Sequence, residues 1–231
     1  MLCPAELPGC SYQGVAELII GIKNAIPNLT ELMVCLKTAV DISSLAMHLI
    51  NDILKPYAEL ETAIQQLMTE LFSETCGMCT ACCCRADICE EAGESAFLSL
   101  LLEQQELSAD DMDDRFGWLD LHGCSLEYGR PPICYIYFCD ELLARLPDDD
   151  SRHVAKTLGR LMNHIGQNAI GEWHLVEIMD AKDLEKVDPA PLSRRMEEAQ
   201  AAFEVIEEYM QTGRLSASGR GILGVISTDD P

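Results

Sequence analysis

The sequence is short of positive charge. Lysine and arginine together number 16 against 39 aspartates and glutamates, leaving a formal net charge of −23. A surface of that sign repels phosphate, so nucleic acid and anionic membrane are excluded as expected partners. It leaves two readings, a solvated acidic exterior or a face that docks a basic partner protein. Long apolar runs are also missing, since stretches such as Phe97 to Leu102 are far too short to span a bilayer. The first residues, Met1-Leu2-Cys3-Pro4-Ala5-Glu6, carry no basic region and no apolar run follows. No targeting segment is expected and the expected compartment is the cytoplasm. There is no P-loop, no Gly-rich dinucleotide turn, no G-x-S-x-G and no internal repeat.

What is abundant is cysteine, with 12 in 231 residues. In a reducing compartment such a number argues for metal rather than disulfides. Cys3, Cys10 and Cys35 are scattered, whereas the other nine fall between Cys76 and Cys139. The dense part reads Cys76-Gly77-Met78-Cys79-Thr80-Ala81-Cys82-Cys83-Cys84-Arg85. Cysteines three apart in a tight loop can turn several sulfurs to one centre, and a remote cysteine then completes a ferredoxin-type set. Here the remote ligands would come from Cys124, Cys134 and Cys139, in a loop stiffened by Pro131 and Pro132.

Iron–sulfur binding, of the four-iron type, is therefore the first expectation. Cys76, Cys79, Cys82, Cys83, Cys124, Cys134 and Cys139 are the expected ligands, with Cys84 and Cys89 as further thiols. A second cluster stays open, because nine thiols exceed what one cluster needs. The function expected of such a cluster is redox or electron transfer; the alternative is a structural or metal-delivery module that holds zinc or iron. The first half of the pattern could supply a zinc knuckle, but Cys124, Cys134 and Cys139 are not knuckle-spaced. A thiolate-bound cluster is negative, so Arg85 and Arg130 beside the motifs are expected to offset its charge or donate to sulfur.

Other candidates read as structural. Asp110, Asp111, Asp113 and Asp114 lack the order and the central glycine of a calcium loop and read as a solvated acidic turn. His122 lies two residues before Cys124, yet a turn histidine is usually solvated. Trp118 and Tyr128 could wall a site or simply pack.

Around the cysteines the chain is patterned as helix, and the expected fold is mainly α, a helical bundle with an irregular cysteine-rich metal-binding insert. The parts are 1–72, an N-terminal helical region; 73–146, the cysteine cluster; and 147–231, C-terminal helices with a loose tail, packed together as one globular unit. Leu60, Ile64, Leu67, Met68 and Leu71 mark a helix, with Lys55-Pro56 expected to break the chain before it. Cys89 to Gly93 reads as a linker, Ser95 to Glu106 as a helix and Leu126 to Tyr128 as at most a short strand. Helices are expected from about Asp140 to Leu146 and Ser151 to Ile165. After Pro189 and Pro191 a last long helix would bury Met196, Ala199, Phe203, Ile206 and Met210, and Gly213 would cap it. From Ser216 the chain reads as a loose tail.

Taken together, Cys76 to Cys83 as C-x-x-C-x-x-C-C followed by Arg85, then Gly123-Cys124, Tyr128, Arg130-Pro131 and the C-x4-C of Cys134 to Cys139, resemble the YkgJ-type CxxCxxCC family. That family is described as a zinc- or iron-chelating domain and includes flagellin lysine methylases. The resemblance covers about residues 76 to 140 and implies metal binding, with protein modification as one activity open to it. The chain departs from the family pattern near Phe116, where a cysteine would stand, while Cys84 and Cys89 are additional.

Overall fold

In the computed structural model the described residues are 50, 52–72, 86–120 and 123–227, all within the unit Ala46–Pro231. The expected helices before residue 50 lie outside them. The fold is mainly α. Helix α1 covers residues 52–72, α2 is Ala86–Glu94 and α3 is Ala96–Gln104. A 3-10 turn, Ala109–Asp111, leads to two short strands, β1 (Leu119–Asp120) and β2 (Gly123–Cys124). These pair antiparallel, with Leu119 opposite Cys124 and Asp120 opposite Gly123. Then come α4 (Ile133–Ile136), α5 (Asp140–Arg145), α6 (Asp149–Gly166), a 3-10 turn at Leu175–Glu177, α7 (Ala181–Leu184), α8 (Pro189–Thr212) and α9 (Ala217–Ser227).

Helix α6 sits at the centre, packed by α4, α8 and α9. Asp148 caps it by accepting from the Ser151 N–H at 2.7 Å, and Asp149 and Asp150 occupy the positive end of its dipole. Leu158, Leu161, Met162 and Ile165 are fully buried, as their helical spacing predicts. Each such side chain contributes on the order of 1.5–3 kcal/mol by burial. Helix α8 starts with Asp188 capping and Pro189 in its first turn, and it ends at Gly213 in the left-handed region (φ 65°). Met196, Ala199, Phe203 and Ile206 are buried as expected. Met210 is 39 % exposed, because Tyr209 takes the inward place and its hydroxyl meets Ser151 Oγ at 2.8 Å.

Four local expectations are corrected. Residues 52–72 are helical straight through Pro56, because Ile53, Leu54, Tyr57, Leu60 and Ile64 bury on one stripe and packing outweighs propensity. Cys89 to Gly93 is not a linker but part of α2, whose Ala92 is completely buried. Gly93 was the misleading residue; a side-chain carbon there would lie 2.8 Å from Ala109 Cβ, so it serves close approach rather than a break. The strand expected at Leu126 to Tyr128 is absent, the ladder lying instead at β1 and β2. Finally, the tail after Ser216 forms α9, held by buried Leu223 and Ile226, with Gly219 against Val205. Among the described residues no helix is long and apolar enough to cross a membrane.

Candidate metal centre

Cys76, Cys79, Cys82, Cys83, Cys84, Arg85 and His122 lie outside the described residues. The flanks of the 73–85 segment and most of the second cysteine loop are described. On the entry side α1 ends at Phe72, which packs with Leu142 and Ala155 in a small apolar cluster that also holds Phe138 and Cys139. The Phe72 and Phe138 rings meet edge to face with centroids 5.5 Å apart. On the exit side α2 carries Cys89 into a second cluster, around Leu102, Trp118 and Leu126, which also holds Cys124. Both ends of the cysteine-dense segment thus abut the second loop, one beside Cys139 and the other beside Cys124.

Cys89 is tightly fitted. Gly117, at φ 62°, lies so close that a side-chain carbon on it would stand 2.5 Å from Cys89 Sγ. The Trp118 backbone N–H lies near the Cys89 sulfur. Burial pushes the Cys89 thiol above its ordinary pKa, the Trp118 N–H opposes this, and the neighbouring Cys124 and Asp87 add to it. Cys89, Cys124 and Cys139 carry free thiols and are half-buried, while Cys134 is exposed on α4.

The loop after β2 is held by core side chains that sequence reasoning did not single out. Glu61 on α1, fully buried, accepts the Gly129 N–H at 2.8 Å, the Arg130 N–H at 2.9 Å and the Tyr135 hydroxyl at 2.6 Å. Gln65, one turn along α1, donates to that hydroxyl at 2.9 Å. Gln105, at the end of α3, donates to Tyr128 O at 3.0 Å and accepts the Glu127 N–H at 3.1 Å. Burial raises the pKa of Glu61; the donors from Tyr135, Gly129 and Arg130 and the Arg130 charge act the other way. The only hint in the sequence was a glutamate at helical spacing with Tyr57 and Ile64, on a face otherwise apolar.

Among the described residues Arg130 bonds backbone carbonyls rather than a surface carboxylate. Its Nη2 donates to Leu126 O at 2.5 Å and lies 3.4 Å from Cys124 O. Burial works against its charge, but Tyr135, Cys124 and Glu61 outweigh that and keep its pKa above the usual value. Its Nε, and Nε1 of Trp118, are buried N–H donors without a hydrogen-bond partner among the described residues.

Cys89, Cys124 and Arg130 are therefore brought together, whereas Cys139 packs in the cluster at the end of α1. Tyr128 packs against the main core. The four aspartates of 110–114 are exposed, Asp111 bonding Ser108 and Asp113 receiving the N–H groups of Arg115 and Phe116. Among the described residues no group of three or more His, Cys, Asp or Glu is arranged to hold a metal ion. No family model, curated protein or solved structure matches the chain. The resemblance to the CxxCxxCC family rests on the motif residues alone.

Proposed function

We propose that the chain is a metal-binding protein of the CxxCxxCC type that carries an iron–sulfur cluster and works in electron transfer. Cys76, Cys79, Cys82 and Cys83 are its primary ligands, completed from Cys124, Cys134 and Cys139. The observation that carries this reading is the packing of both flanks of the dense segment against the second loop, Phe72 beside Cys139 and Cys89 beside Cys124. With both ends anchored there, the loop-closure entropy of gathering thiolates from two distant parts of the chain is already met by the helical core. Half-buried Arg130 beside Cys124 supplies the positive charge that a thiolate-rich centre requires in a chain of net charge −23. The acidic exterior suits a basic redox partner in a reducing compartment such as the cytoplasm.

The test is purification without oxygen, followed by quantification of iron, zinc and sulfide. A brown protein with broad visible absorbance, bleached reversibly by dithionite with its helical circular dichroism intact, is expected. About four irons per chain would select one cluster over two. A colourless protein with stoichiometric zinc overturns the iron–sulfur reading, and one with no metal overturns metal binding altogether.

A further inference from the structure

We propose that the outer face of α2, together with the turn at 109–117, is the docking surface for a basic protein partner, with Phe116 as its apolar anchor. This deepens the partner half of the reading above, on which the redox role of that partner rests; the location rests on charge and packing alone.

Negative charge is concentrated here. Residues 86–129 hold 12 acidic side chains and one basic one, Arg115, whereas residues 130–227 hold 16 and 11. On α2, Asp87, Glu90, Glu91 and Glu94 are all exposed and fall on one arc of the helix. The adjoining arc, Cys89 and Gly93, faces the turn. A side-chain carbon on Gly93 would meet Ala109, and Gly117 lies against Cys89 and Ala86. The turn therefore runs antiparallel along α2 and sets exposed Asp110, Asp111, Asp113 and Asp114 beside the acidic stripe of the helix. Among the described residues Glu90, Glu91, Glu94, Asp110 and Asp114 form no ion pair, while Glu59, Glu141, Asp149, Asp150, Asp183 and Glu198 each hold a lysine or arginine.

Two features distinguish this face from a merely solvated exterior. First, its charges work against the helix that carries them. Asp87 with Glu91 and Glu90 with Glu94 are like-charged pairs four apart, and Glu94 stands at the negative end of the helix dipole with no basic residue in the last turn. Local rules broken together at one place, with no stabilising return, are the mark of a functional surface. Second, an aromatic ring is held out at the acidic rim. Phe116 is 51 % exposed, yet its turn is well fixed. Hydrogen bonds run both ways between Asp113 and Gly117, and the Asp113 carboxylate accepts the Arg115 and Phe116 N–H groups at 2.9 and 2.8 Å. The Arg115 guanidinium lies 4.9 Å from the ring centroid, so the ring already receives a cation. An aromatic anchor inside a charged rim is how protein interfaces are built. A partner that brings lysines or arginines around a small apolar recess complements it. Cys89 lies against the same turn and Cys124 packs in its cluster, so a docked redox partner would stand next to both.

The probe is cytochrome c, a basic protein, titrated into the full chain at low and at moderate salt. A face variant, Glu90→Gln with Glu94→Gln and Asp114→Asn, removes three charges from the proposed surface. A control variant, Glu204→Gln with Glu207→Gln and Glu208→Gln, removes three exposed charges from α8, so the two have the same net charge. Neutralising like-charged neighbours relieves α2 rather than endangering it, and circular dichroism checks both folds. At low salt the face variant should weaken Kd about tenfold and the control less than about twofold. Phe116→Ala should weaken it about fivefold with its salt dependence unchanged. Equal weakening in the two triple variants overturns the face and leaves only a general acidic exterior. Displacement of the probe by calcium chloride, but not by potassium chloride of equal ionic strength, gives the carboxylates to a divalent cation and overturns the protein partner. If wild type fails to bind the probe even at low salt, the basic partner falls with its surface, while the metal reading stands or falls on its own iron, zinc and sulfide measurement.

Discussion

Replacing Glu61 should unfasten the second loop, and the cost can be worked from its partners. Glu61→Ala leaves three donors facing a void: the N–H groups of Gly129 and Arg130 and the hydroxyl of Tyr135. Each buried orphan costs about 1–3 kcal/mol. Partial relaxation and entering water bring the sum down to about 4 kcal/mol, in the range for breaking a buried charged network. For a chain of this size that is roughly 8–16 °C in Tm. Glu61→Gln keeps an oxygen for two donors but turns an amide NH2 toward the third, and should cost about 2 kcal/mol. The assay is urea unfolding at neutral pH, with a lowered midpoint and an unchanged slope. A Glu61→Ala protein within about 1 kcal/mol of wild type would refute the clamp. The pH dependence is a second constraint. The folded pKa of Glu61 lies above its ordinary 4.5, so the native state binds more protons in the window between the two. Its contribution is fully present below 4.5 and is lost as pH rises through the folded value. The cost of Glu61→Gln should therefore shrink as pH rises across that window; a cost that grows would reverse the argument.

Three further outcomes are expected. Gly117→Ala puts a methyl 2.5 Å from Cys89 Sγ at a φ of 62°, which should cost about 2–3 kcal/mol in urea and lower metal content; unchanged stability and loading would contradict the fit at Cys89. His174 is fixed as the neutral ring, Nε2–H donating to Asn163 O at 2.9 Å and Nδ1 accepting the Val176 N–H at 3.2 Å, and burial lowers its pKa below 6.5. Its share of stability is present above 6.5 and is lost as pH falls through the folded value; an NMR titration midpoint at or above 6.5 would be inconsistent with this. Arg130→Gln should shift the midpoint potential of the metal centre, measured by redox titration, and an unmoved potential would remove Arg130 as a tuning group.

Helix class was legible because the apolar positions repeat at helical spacing; α6 and α8 emerged with most of their buried faces, and α8 with Gly213 at its end as well. Local breakers misled where packing overrode them. Pro56 lies inside α1 because the stripe from Ile53 to Ile64 is buried, and Gly93 lies inside α2 because Ala109 needs the space. The helix after Ser216 was missed because Gly219, Gly221 and Gly224 suggested looseness, while the deciding quantity, burial of Leu223 and Ile226 against other helices, is a property of tertiary structure. At the site, cysteine spacing pointed to the chemistry and Arg130 stood next to its motif. Glu61, Gln65, Gln105 and Tyr135 were invisible as a set because their partners are 22 to 74 residues away in the chain. Cys89 looked like a surplus thiol for the same reason: its neighbours Gly117 and Trp118 are contributed from the far side of α3.

The clamp also separates stability from positioning. A fully buried carboxylate is a poor way to gain stability, since well-packed apolar groups of similar volume often do as well or better. Glu61 spends desolvation energy to hold backbone N–H groups on the Cys124–Arg130 loop, and an apolar residue cannot specify that register. Replacing both Glu61 and Tyr135 with apolar residues, as in Glu61→Leu with Tyr135→Phe, removes the charge and its hydroxyl partner together and fills the void, so the double variant should recover the part of the stability lost in Glu61→Ala that comes from the orphaned hydroxyl and the cavity, while the Gly129 and Arg130 N–H groups stay unpaired. It should not recover metal loading, because nothing then fixes Gly129 and Arg130 relative to α1. If loading returns in parallel with stability, Glu61 serves only the fold, and the second loop reaches its place without it.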